Sequence, residues 1–503
     1  MAQLKVAGAS DKSLLPRKAD TEKVDDEESA AVLDNVFAAL ASSNRRFQLV
    51  GDEITVLTSP RAFYECLLEN ISTAERRISM SSLYLGTGDL ERKLVKCLHD
   101  RLGANPNLQA HIVLDYARAQ RNGPTNSSVG LLLPLLEAFP RQVKLFLYRM
   151  PQLEGWKRMV PSPWNEIFGV SHSKVYVADN KVIISGANLS EEYFSNRQDR
   201  YIEINDIMEH NLVQFYHDLI ALIASFSLSV KAEQTGQYRL YKQEKQLQEP
   251  SFQARLEELM KCDTQINSLT DRLAEERFMD TWAIPTFQFG PLGITQDEEV
   301  LLKLLSTLPA ETELDIATGY LNLSPAFEKY LLECKPSLQV ITAAPSANGF
   351  HRAKRIRATI PTTYSVIEKQ FYEKLRGAAS GSAKTLREYN RAGWTFHGKG
   401  MWITPVKLTS SSHEGSTSAL TVCGSSNFGL RSFGRDMEAQ LYIYTKNRKL
   451  CSSLEHEKTS TLAYTEVVAD HIWDRPDRKL NSIFSWKQGK WIRPLVKYIR
   501  RFL

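Results

Sequence analysis

The hydrophobic positions along the chain predict strands and helices in alternation, starting near residue 31. Glu53–Leu57 and Arg77–Tyr84 have the pattern of strands, whereas the apolar residues of Pro60–Ser72 recur at helical spacing. Strands separated by helices favour a mainly parallel sheet with helices packed on it. The pattern therefore predicts an α/β fold.

The same succession of elements returns in the second part of the chain. Tyr84 and Tyr320 each end a predicted strand, 236 positions apart, and a predicted helix and strand follow both. An offset shared by several elements indicates an internal duplication. We expect five segments: a disordered tail (1–30), a first half (31–230), a helical connector (231–280), a second half (281–450) and a C-terminal extension (451–503).

The positive charge of the chain is concentrated near its C-terminal end. The 503 residues carry a formal net charge of +5, and Lys487–Leu503 contains six basic residues and no acid. The remainder is therefore close to neutral, which argues against nucleic acid as a partner. Because basic and apolar residues alternate at helical spacing, residues 485–503 are expected to form an amphipathic helix that docks on an anionic membrane surface.

Composition excludes several other classes of protein. With 43% hydrophobic and 24% charged residues the chain has the composition of a globular protein. Its longest apolar stretches reach about half the length of a membrane-spanning helix. The six cysteines have no spacing typical of a metal site or a disulfide framework, which fits a reducing compartment. We therefore expect no metal and no cofactor.

Two similar motifs are the strongest candidates for chemistry. The first contains His172 and Lys174 and the second contains His397 and Lys399, each pair separated by one residue at the start of a predicted strand. Each motif is followed by a second strand that ends near an asparagine, and then by a glutamate. These are Asn188 and Glu203 in the first copy and Asn427 and Glu438 in the second. Two such copies near the duplication offset are very improbable by chance.

The paired motifs resemble those of the phospholipase D superfamily. The surrounding sequence segments, such as Ser185-Gly186-Ala187-Asn188 and Phe396-His397-Gly398-Lys399-Gly400, resemble more specifically those of the eukaryotic phosphatidylglycerophosphate synthases. It implies two pseudosymmetric halves with one shared active site at their interface. One departure is Thr404, which stands where the second motif would carry an aspartate, so the halves are not chemically equivalent.

The resemblance also implies substrates and a location. The implied substrates are CDP-diacylglycerol, whose phosphatidyl group is transferred, and glycerol 3-phosphate, which accepts it. The implied location is the matrix side of the mitochondrial inner membrane, to which the protein would bind peripherally. Residues 1–30 end in an acidic cluster, which is atypical of a mitochondrial targeting peptide.

Roles for the individual residues follow from their chemistry at such a site. We assign His172 as the nucleophile that forms a phosphohistidine and His397 as the general acid and base, an assignment that can be reversed. Lys174 and Lys399 are expected to neutralise the phosphoryl oxygens. The remaining catalytic candidates are Asp179, which completes the first motif, and Glu203 and Glu438, which would orient the imidazole rings.

Substrate contacts are expected from the strand ends and from basic loops. Loops after buried strands are where open α/β sheets bind ligands, and basic residues there suit phosphate groups. The predicted substrate-binding residues are Asn188, Asn427, Ser185, Ser425, Arg118, Arg121, Arg352 and Lys354.

Two alternative functions remain open at this stage. A phosphatidylserine synthase, or another transferase or hydrolase of the phospholipase D type, would use the same residues with a different acceptor. A non-catalytic lipid-binding protein with a decayed site is the second alternative, suggested by Thr404. The presence of all four His and Lys residues in register speaks against decay.

Overall fold

A computed structural model describes residues 32–207, 211–233, 236–243, 251–261, 279–350, 360–378, 381–406, 416–475, 478 and 500. Three sequence predictions fall wholly or largely outside these ranges. They concern the N-terminal tail 1–30, the phosphate-binding residues Arg352 and Lys354, and the amphipathic helix at 485–503, of which only Arg500 is described.

The strands were numbered in chain order. They are β1 (Phe47–Leu49), β2 (Ile54–Leu57), β3 (Arg77–Ser82), β4 (Gln109–Asp115), β5 (Val143–Tyr148), β6 (Val175–Ala178), β7 (Lys181–Ser185), β8 (Arg197–Gln198), β9 (Tyr201–Asn205), β10 (Leu228–Glu233), β11 (Gln237–Tyr241), β12 (Thr281–Gln288), β13 (Thr312–Thr318), β14 (Ser337–Ala343), β15 (Lys384–Tyr389), β16 (Thr395–Phe396), β17 (Lys399–Pro405), β18 (Ala419–Gly424), β19 (Glu438–Thr445) and β20 (Thr465–Val467).

The helices pack on the faces of the sheets. They are α1 (32–41), α2 (Pro60–Thr73), α3 (Asp89–Ala104), α4 (Tyr116–Ala119), α5 (Ser128–Ala138), α6 (Glu191–Ser195), α7 (Leu212–Ser225), α8 (Phe252–Met260), α9 (Gln296–Thr307), α10 (Pro325–Glu333), α11 (Ile360–Gly377), α12 (Leu430–Gly434) and α13 (Arg448–Leu462). Within the described ranges, none of them combines the length and the apolar character needed to cross a bilayer.

The strands form two large sheets, one in each half of the chain. The first has the order β11-β10-β5-β4-β3-β6-β7-β9-β2, and the second has the order β1-β12-β19-β18-β17-β13-β14-β15-β20. The succession β4-β3-β6-β7-β9 in the first sheet matches β14-β13-β17-β18-β19 in the second. This repetition confirms the α/β fold with two similar halves that the sequence predicts.

Both sheets are mixed, so the expectation of mainly parallel sheets is wrong. Only the adjacent strands β3, β4 and β5, and likewise β13, β14 and β15, run parallel among the described strands of these sheets. Helices connect most of these parallel strands. The strands that carry the His-Lys motifs are instead followed by antiparallel neighbours, and a tight turn at Asp179 joins β6 to β7.

Three connections link the segments differently from the sequence prediction. The segment 231–280 begins as the hairpin of β10 and β11 rather than as a helix. Strand β1 precedes the first sheet in the chain but pairs with β12 in the second, and α1 packs in the core of the second half. Strand β20 extends the second sheet through β15, so residues beyond 450 contribute to the second half.

A single apolar core joins the two halves. The facing sides of the sheets contribute Val175 and Ile184 from the first half and Trp402 and Leu441 from the second, all buried. The polar site described next lies along this interface, where the starts of β6 and β17 approach the other half.

Candidate active site

The two motif histidines occupy equivalent positions, immediately before the central strands β6 and β17. The backbone N–H of His172 donates to the carbonyl oxygen of Met437 at 2.8 Å, and that of His397 donates to the carbonyl oxygen of Gln198, also at 2.8 Å. Each bond crosses from one half to the other. Glu438 follows Met437 and Asp199 follows Gln198. These two bonds therefore bring His172 beside Glu438 and His397 beside Asp199.

Each imidazole is held by a carboxylate of the opposite half. His172 Nδ1 lies 2.8 Å from Glu438 Oε2, and His397 Nδ1 lies 2.6 Å from Asp199 Oδ2. Because a carboxylate accepts hydrogen bonds, Nδ1 is the donor in both rings, and the lone pair of the neutral ring is on Nε2. Neither half therefore contains a complete histidine–carboxylate pair by itself.

The environment of the histidines favours their neutral form. Burial lowers the pKa of His172 well below its ordinary value, and the neighbouring Lys174 adds to this effect. Burial and Lys399 lower the pKa of His397 in the same way. Neutral imidazole is the form that can attack phosphorus or accept a proton.

The free ring nitrogens differ between the two histidines. His172 Nε2 makes no hydrogen bond to any described residue, and 12% of its side chain is exposed. His397 Nε2 is 3.1 Å from the hydroxyl oxygen of Tyr193, and its ring lies between the edges of Tyr193 and Tyr320. The more open nitrogen is that of His172.

Two buried lysines provide positive charge at the centre of the site. Lys174 and Lys399 are 1% and 0% exposed, and each donates a hydrogen bond to the carbonyl oxygen of the histidine in its own motif. Burial lowers the pKa of Lys174 to about 7 and that of Lys399 to about 8. Lys399 Nζ also lies 3.6 Å from Asp199 Oδ2 and 3.1 Å from His397 Nε2. Buried ammonium groups are suited to bind an anion.

The two carboxylates are buried together with their histidines. Burial raises the pKa of Asp199 to about 6 and that of Glu438 to about 7, although the lysines oppose this shift. Gly186 leaves room for Asp199, because a Cβ at residue 186 would lie 2.6 Å from Asp199 Oδ1. Gly319 similarly permits close approach to His397, whose Cα would be 2.8 Å from such a Cβ.

The predicted asparagines follow strands β7 and β18, Asn188 buried and Asn427 partly buried, with unused acceptor atoms. Asn188 Oδ1 and Asn427 Oδ1 have no hydrogen-bond partner among the described residues. Buried polar atoms are normally satisfied, so these two amides are expected to act on a bound molecule. The predicted serines do not share this property. Ser185 Oγ donates to the carbonyl oxygen of Arg200, and Ser425 Oγ is engaged by the backbone of Ala439.

Asp179 lies away from the site, contrary to the sequence prediction. It occupies the turn at the far end of β6 from His172, with φ of +51°. Its carboxylate accepts hydrogen bonds from the backbone N–H groups of Glu75, Arg76 and Arg77, at 2.6 to 2.9 Å. The side chain therefore fixes the entry to β3 and has no contact with the histidines.

Glu203 is also placed elsewhere, because it faces the outer helix α2. Its Oε1 accepts hydrogen bonds from Cys66 Sγ at 3.1 Å and from Asn70 Nδ2 at 2.8 Å. The carboxylate that corresponds to Glu438 in the first half is Asp199, four residues before Glu203. Asp199 follows Asn188 by 11 residues, as Glu438 follows Asn427. This equal spacing was available in the sequence and identifies the pair.

The basic loop after β4 borders the site, but its charges are already paired. Arg118 and Arg121 lie 3.5 and 3.3 Å from the carboxylate of Glu166. The Arg118 guanidinium also lies over the ring of Tyr84, 4.3 Å from its centroid. The loop 151–170 that carries Glu166 also exposes three large apolar side chains, namely Trp156, Met159 and Trp164.

Arg200 connects the two halves directly beside the site. Its guanidinium forms a buried ion pair with Glu457 of α13, with Nη2 and Oε2 2.7 Å apart. It also donates to the carbonyl oxygens of Met401 and Val422. A residue with a side chain at position 400 would obstruct this arrangement, because the Cβ would lie 2.5 Å from Arg200 Nη1.

Comparison with known proteins identifies close relatives of the chain. No protein-family model matches it. It is 37% identical over 484 residues to the Gallus gallus protein named mitochondrial CDP-diacylglycerol–glycerol-3-phosphate 3-phosphatidyltransferase, covering 90% of this chain and 84% of the relative. The Homo sapiens protein of the same name is 35% identical over 480 residues, with the same coverage. A Dictyostelium discoideum protein, named as a probable enzyme of this kind, is 33% identical over 445 residues, covering 85% and 75%.

The duplicated architecture also has a counterpart among solved structures. The phosphatidylserine synthase of Haemophilus influenzae Rd KW20 superposes with a TM-score of 0.66 at 20% sequence identity, over 93% of this chain and 99% of that one. This likeness shows the shared fold. The identity and extent of the sequence matches lead to one assignment: the chain belongs to the CDP-diacylglycerol–glycerol-3-phosphate 3-phosphatidyltransferase family.

Proposed function

We propose that this protein transfers the phosphatidyl group of CDP-diacylglycerol to glycerol 3-phosphate through a phosphohistidine, giving phosphatidylglycerophosphate and CMP. The observation that carries the mechanism is the pair of crossed contacts, His172 with Glu438 and His397 with Asp199. They hold two neutral imidazoles in one site with both Nε2 atoms free of carboxylates. The identity of the substrates is supported by the names of the relatives.

In the first step, His172 Nε2 attacks the phosphorus that carries diacylglycerol. A P–N bond forms, the P–O bond to CMP breaks, and CMP leaves with the electron pair as a phosphate anion. Glu438 accepts a hydrogen bond from the Nδ1–H group of His172 and stabilises the positive charge that the ring acquires. The side chain of His172 is 12% exposed and that of His397 is 6% exposed, which supports His172 as the nucleophile.

In the second step, a hydroxyl group of glycerol 3-phosphate attacks the same phosphorus. His397 Nε2 takes the proton of that hydroxyl, the new P–O bond forms, and the P–N bond to His172 breaks. Asp199 stabilises the protonated ring of His397. Two successive displacements leave both histidines ready for the next cycle once His397 releases its proton.

Lys174 and Lys399 neutralise the non-bridging oxygens in both steps. Their ammonium groups are fixed by the histidine carbonyl oxygens, so no reorganisation is needed when charge develops on the phosphoryl group. Asn188 and Asn427 can donate to the same oxygens through their amide N–H groups.

An acceptor panel tests the overall reaction. Purified protein would be incubated with CDP-diacylglycerol and either water, glycerol, serine or glycerol 3-phosphate, and both CMP and the lipid product would be measured. We expect rapid CMP release with glycerol 3-phosphate and phosphatidylglycerophosphate as the product. Preferred use of serine would instead support a phosphatidylserine synthase, and no CMP with any acceptor would support a binding protein.

Trapping the covalent intermediate tests the mechanism. Short-chain CDP-diacylglycerol would be added without acceptor, the reaction would be stopped in alkali, which preserves phosphohistidine, and the intact mass would be measured. The wild-type protein and His397→Asn should carry one phosphatidyl group, whereas His172→Asn should carry none. An adduct on His172→Asn would contradict the assignment of the nucleophile.

The location is proposed from the relatives, which are named as mitochondrial. We extend that compartment to this chain, with peripheral attachment to the matrix face of the inner membrane. Docking through residues 485–503 remains a prediction from the sequence. Removing these residues should weaken co-sedimentation with anionic vesicles but leave binding to neutral vesicles unchanged. Equal binding to anionic vesicles by a folded truncated protein would rule it out.

A further inference from the structure

Four arginines approach the active site, and three of them are paired with a carboxylate. Arg118 faces Glu166, Arg200 faces Glu457, and Arg431 faces Asp436, at 3.5, 2.7 and 3.0 Å. Arg197, two residues before Asp199, differs from them. No carboxylate of the described residues lies within 4.0 Å of its guanidinium, although the side chain is partly buried.

The guanidinium of Arg197 is nevertheless held in a defined position. Its Nε donates to Thr395 Oγ1 at 3.0 Å, across the short parallel pairing of β8 with β16. Its carbon Cζ lies 4.7 Å from the centroid of the Tyr193 ring. These contacts use one N–H group and one face of the guanidinium, so the outer N–H groups remain available to a bound molecule.

The position of Arg197 relates it to His397 rather than to His172. Tyr193, on which Arg197 rests, places its hydroxyl oxygen 3.1 Å from His397 Nε2. Tyr320 makes a second T-shaped ring contact with His397. Arg197 and His397 Nε2 therefore contact the same tyrosine, Tyr193.

Arg197 and Tyr320 both approach the backbone at Gly349. A Cβ at this position would lie 2.8 Å from Tyr320 Oη and 3.5 Å from Arg197 Nη2, so the glycine permits both polar groups to lie against the same backbone position.

We infer that Arg197, assisted by Tyr320, binds the phosphate group of the acceptor and so selects a phosphorylated alcohol. The inference rests on the proposed function, in which His397 takes the proton of the acceptor hydroxyl. A three-carbon alcohol phosphate carries a hydroxyl for His397 Nε2 and a phosphate for Arg197, two groups that lie beside the same tyrosine. The planar guanidinium matches the oxygens of a phosphate monoester.

This arrangement explains how water and unphosphorylated alcohols would be disfavoured. Glycerol would leave the Arg197 guanidinium partly buried and without an anionic ligand, and serine would offer only a singly charged carboxylate beside its own ammonium group, whereas glycerol 3-phosphate supplies a phosphate. A site built around a charged hydrogen-bonding group discriminates strongly against ligands that lack its partner. Arg118 and Arg121, which the sequence analysis assigned to phosphate binding, are already engaged with Glu166.

The test compares Arg197→Gln with a control, Arg391→Gln. Arg391 also lies close to β16, but it stacks on Trp394 and Tyr464 and has no contact with the histidines. For Arg197→Gln we expect KM for glycerol 3-phosphate to rise about tenfold to a hundredfold, with KM for CDP-diacylglycerol within about threefold of wild type. The ratio of activity with glycerol 3-phosphate to that with glycerol should fall by a similar factor. Arg391→Gln should match wild type.

An exchange reaction separates this inference from the proposed function and from misfolding. Labelled CMP enters CDP-diacylglycerol by reversal of the first step, which needs no acceptor, and Arg197→Gln should retain this exchange. A raised KM for CDP-diacylglycerol, or loss of exchange, would assign Arg197 to the donor or to the fold and would overturn the inference. If wild-type protein shows exchange but does not use glycerol 3-phosphate, the proposed acceptor itself is wrong.

Discussion

The backbone N–H of His397 donates to the carbonyl oxygen of Gln198 across the interface between the halves, at 2.8 Å. This bond fixes Asp199, the next residue, beside the imidazole that it orients. The equivalent bond from His172 to Met437 fixes Glu438 in the same way. The two halves therefore share both histidine–carboxylate pairs, so that a change in their relative position would disturb both pairs together.

The assignment of Asp199 in place of Glu203 can be tested with two amide substitutions. Asp199→Asn should lower kcat by at least about a hundredfold, because the amide can stabilise the wrong tautomer of His397 and cannot stabilise its protonated ring. Glu203→Gln should leave kcat close to wild type, since this side chain hydrogen-bonds to Cys66 and Asn70 on helix α2. Steady-state kinetics on both variants would decide, and a larger loss in Glu203→Gln would reverse our assignment.

The lowered pKa values of Lys174 and Lys399, about 7 and about 8, predict a loss of activity in alkali. A lysine is charged below its pKa, so both lose their charge as the pH rises through this range, and kcat/KM should fall above about pH 8. Lys399→Arg keeps its charge and should shift this decline to higher pH, even if its rate is lower. Lys458→Arg, at a buried ion pair with Asp315, is the control and should keep the wild-type profile. A constant kcat/KM up to about pH 10 would refute the role of the lysines.

The buried ion pair between Arg200 and Glu457 should contribute strongly to stability. Both side chains are 3% exposed, so Glu457→Gln would leave the Arg200 charge without compensation inside the interface. We expect a loss of about 3–5 kcal/mol in the free energy of unfolding, measured by urea denaturation. The exposed pair of Arg61 and Glu65 provides a control, and Glu65→Gln should not shift the transition measurably. Equal transitions for both variants would disprove this view of the interface.

Two glycines should respond to alanine in opposite directions. Gly400 has φ of +133°, and its Cβ would lie 2.0 Å from the carbonyl oxygen of Val422, so Gly400→Ala should prevent normal folding. Gly103 lies within helix α3, where a Cβ would meet Phe139 at 3.8 Å, an ordinary contact. Gly103→Ala should therefore raise stability by about 0.5–1 kcal/mol. The midpoint of thermal unfolding and the soluble yield would distinguish the two outcomes, and a stable Gly400→Ala protein would contradict the close approach at Val422.

The sequence is sufficient to predict the duplication and the four central residues of the site. Hydrophobic patterns locate elements such as α2 and β2 to within one or two residues. The motifs around His172 and His397 repeat closely enough to pair with each other. These properties depend on local spacing, which is readable in a single chain. The mixed character of the sheets is less accessible, because the direction of a strand depends on which neighbour it pairs with.

The predictions for Asp179 and Glu203 are wrong because the type of a residue does not show which groups its side chain contacts. Asp179 completes a motif, but its left-handed conformation directs it to the N–H groups of the loop before β3. Glu203 was chosen because it matched Glu438 in type, although Asp199 has the matching distance from its asparagine. Arg197 has no distinguishing mark in the sequence. Its importance depends on the absence of a carboxylate within 4.0 Å among the described residues, and only the three-dimensional arrangement reveals that.

The pairing of β1 with β12 has a consequence for how the chain matures. Phe47 meets Ala283, so the beginning of the chain must wait during synthesis until its partner strand has emerged. The segment that is made first is then among the last to dock. If it is removed, β12 becomes the border of the sheet, with backbone groups exposed to pairing with other molecules. Shortened versions that start after residue 50 should therefore self-associate, even though every residue of the active site is retained.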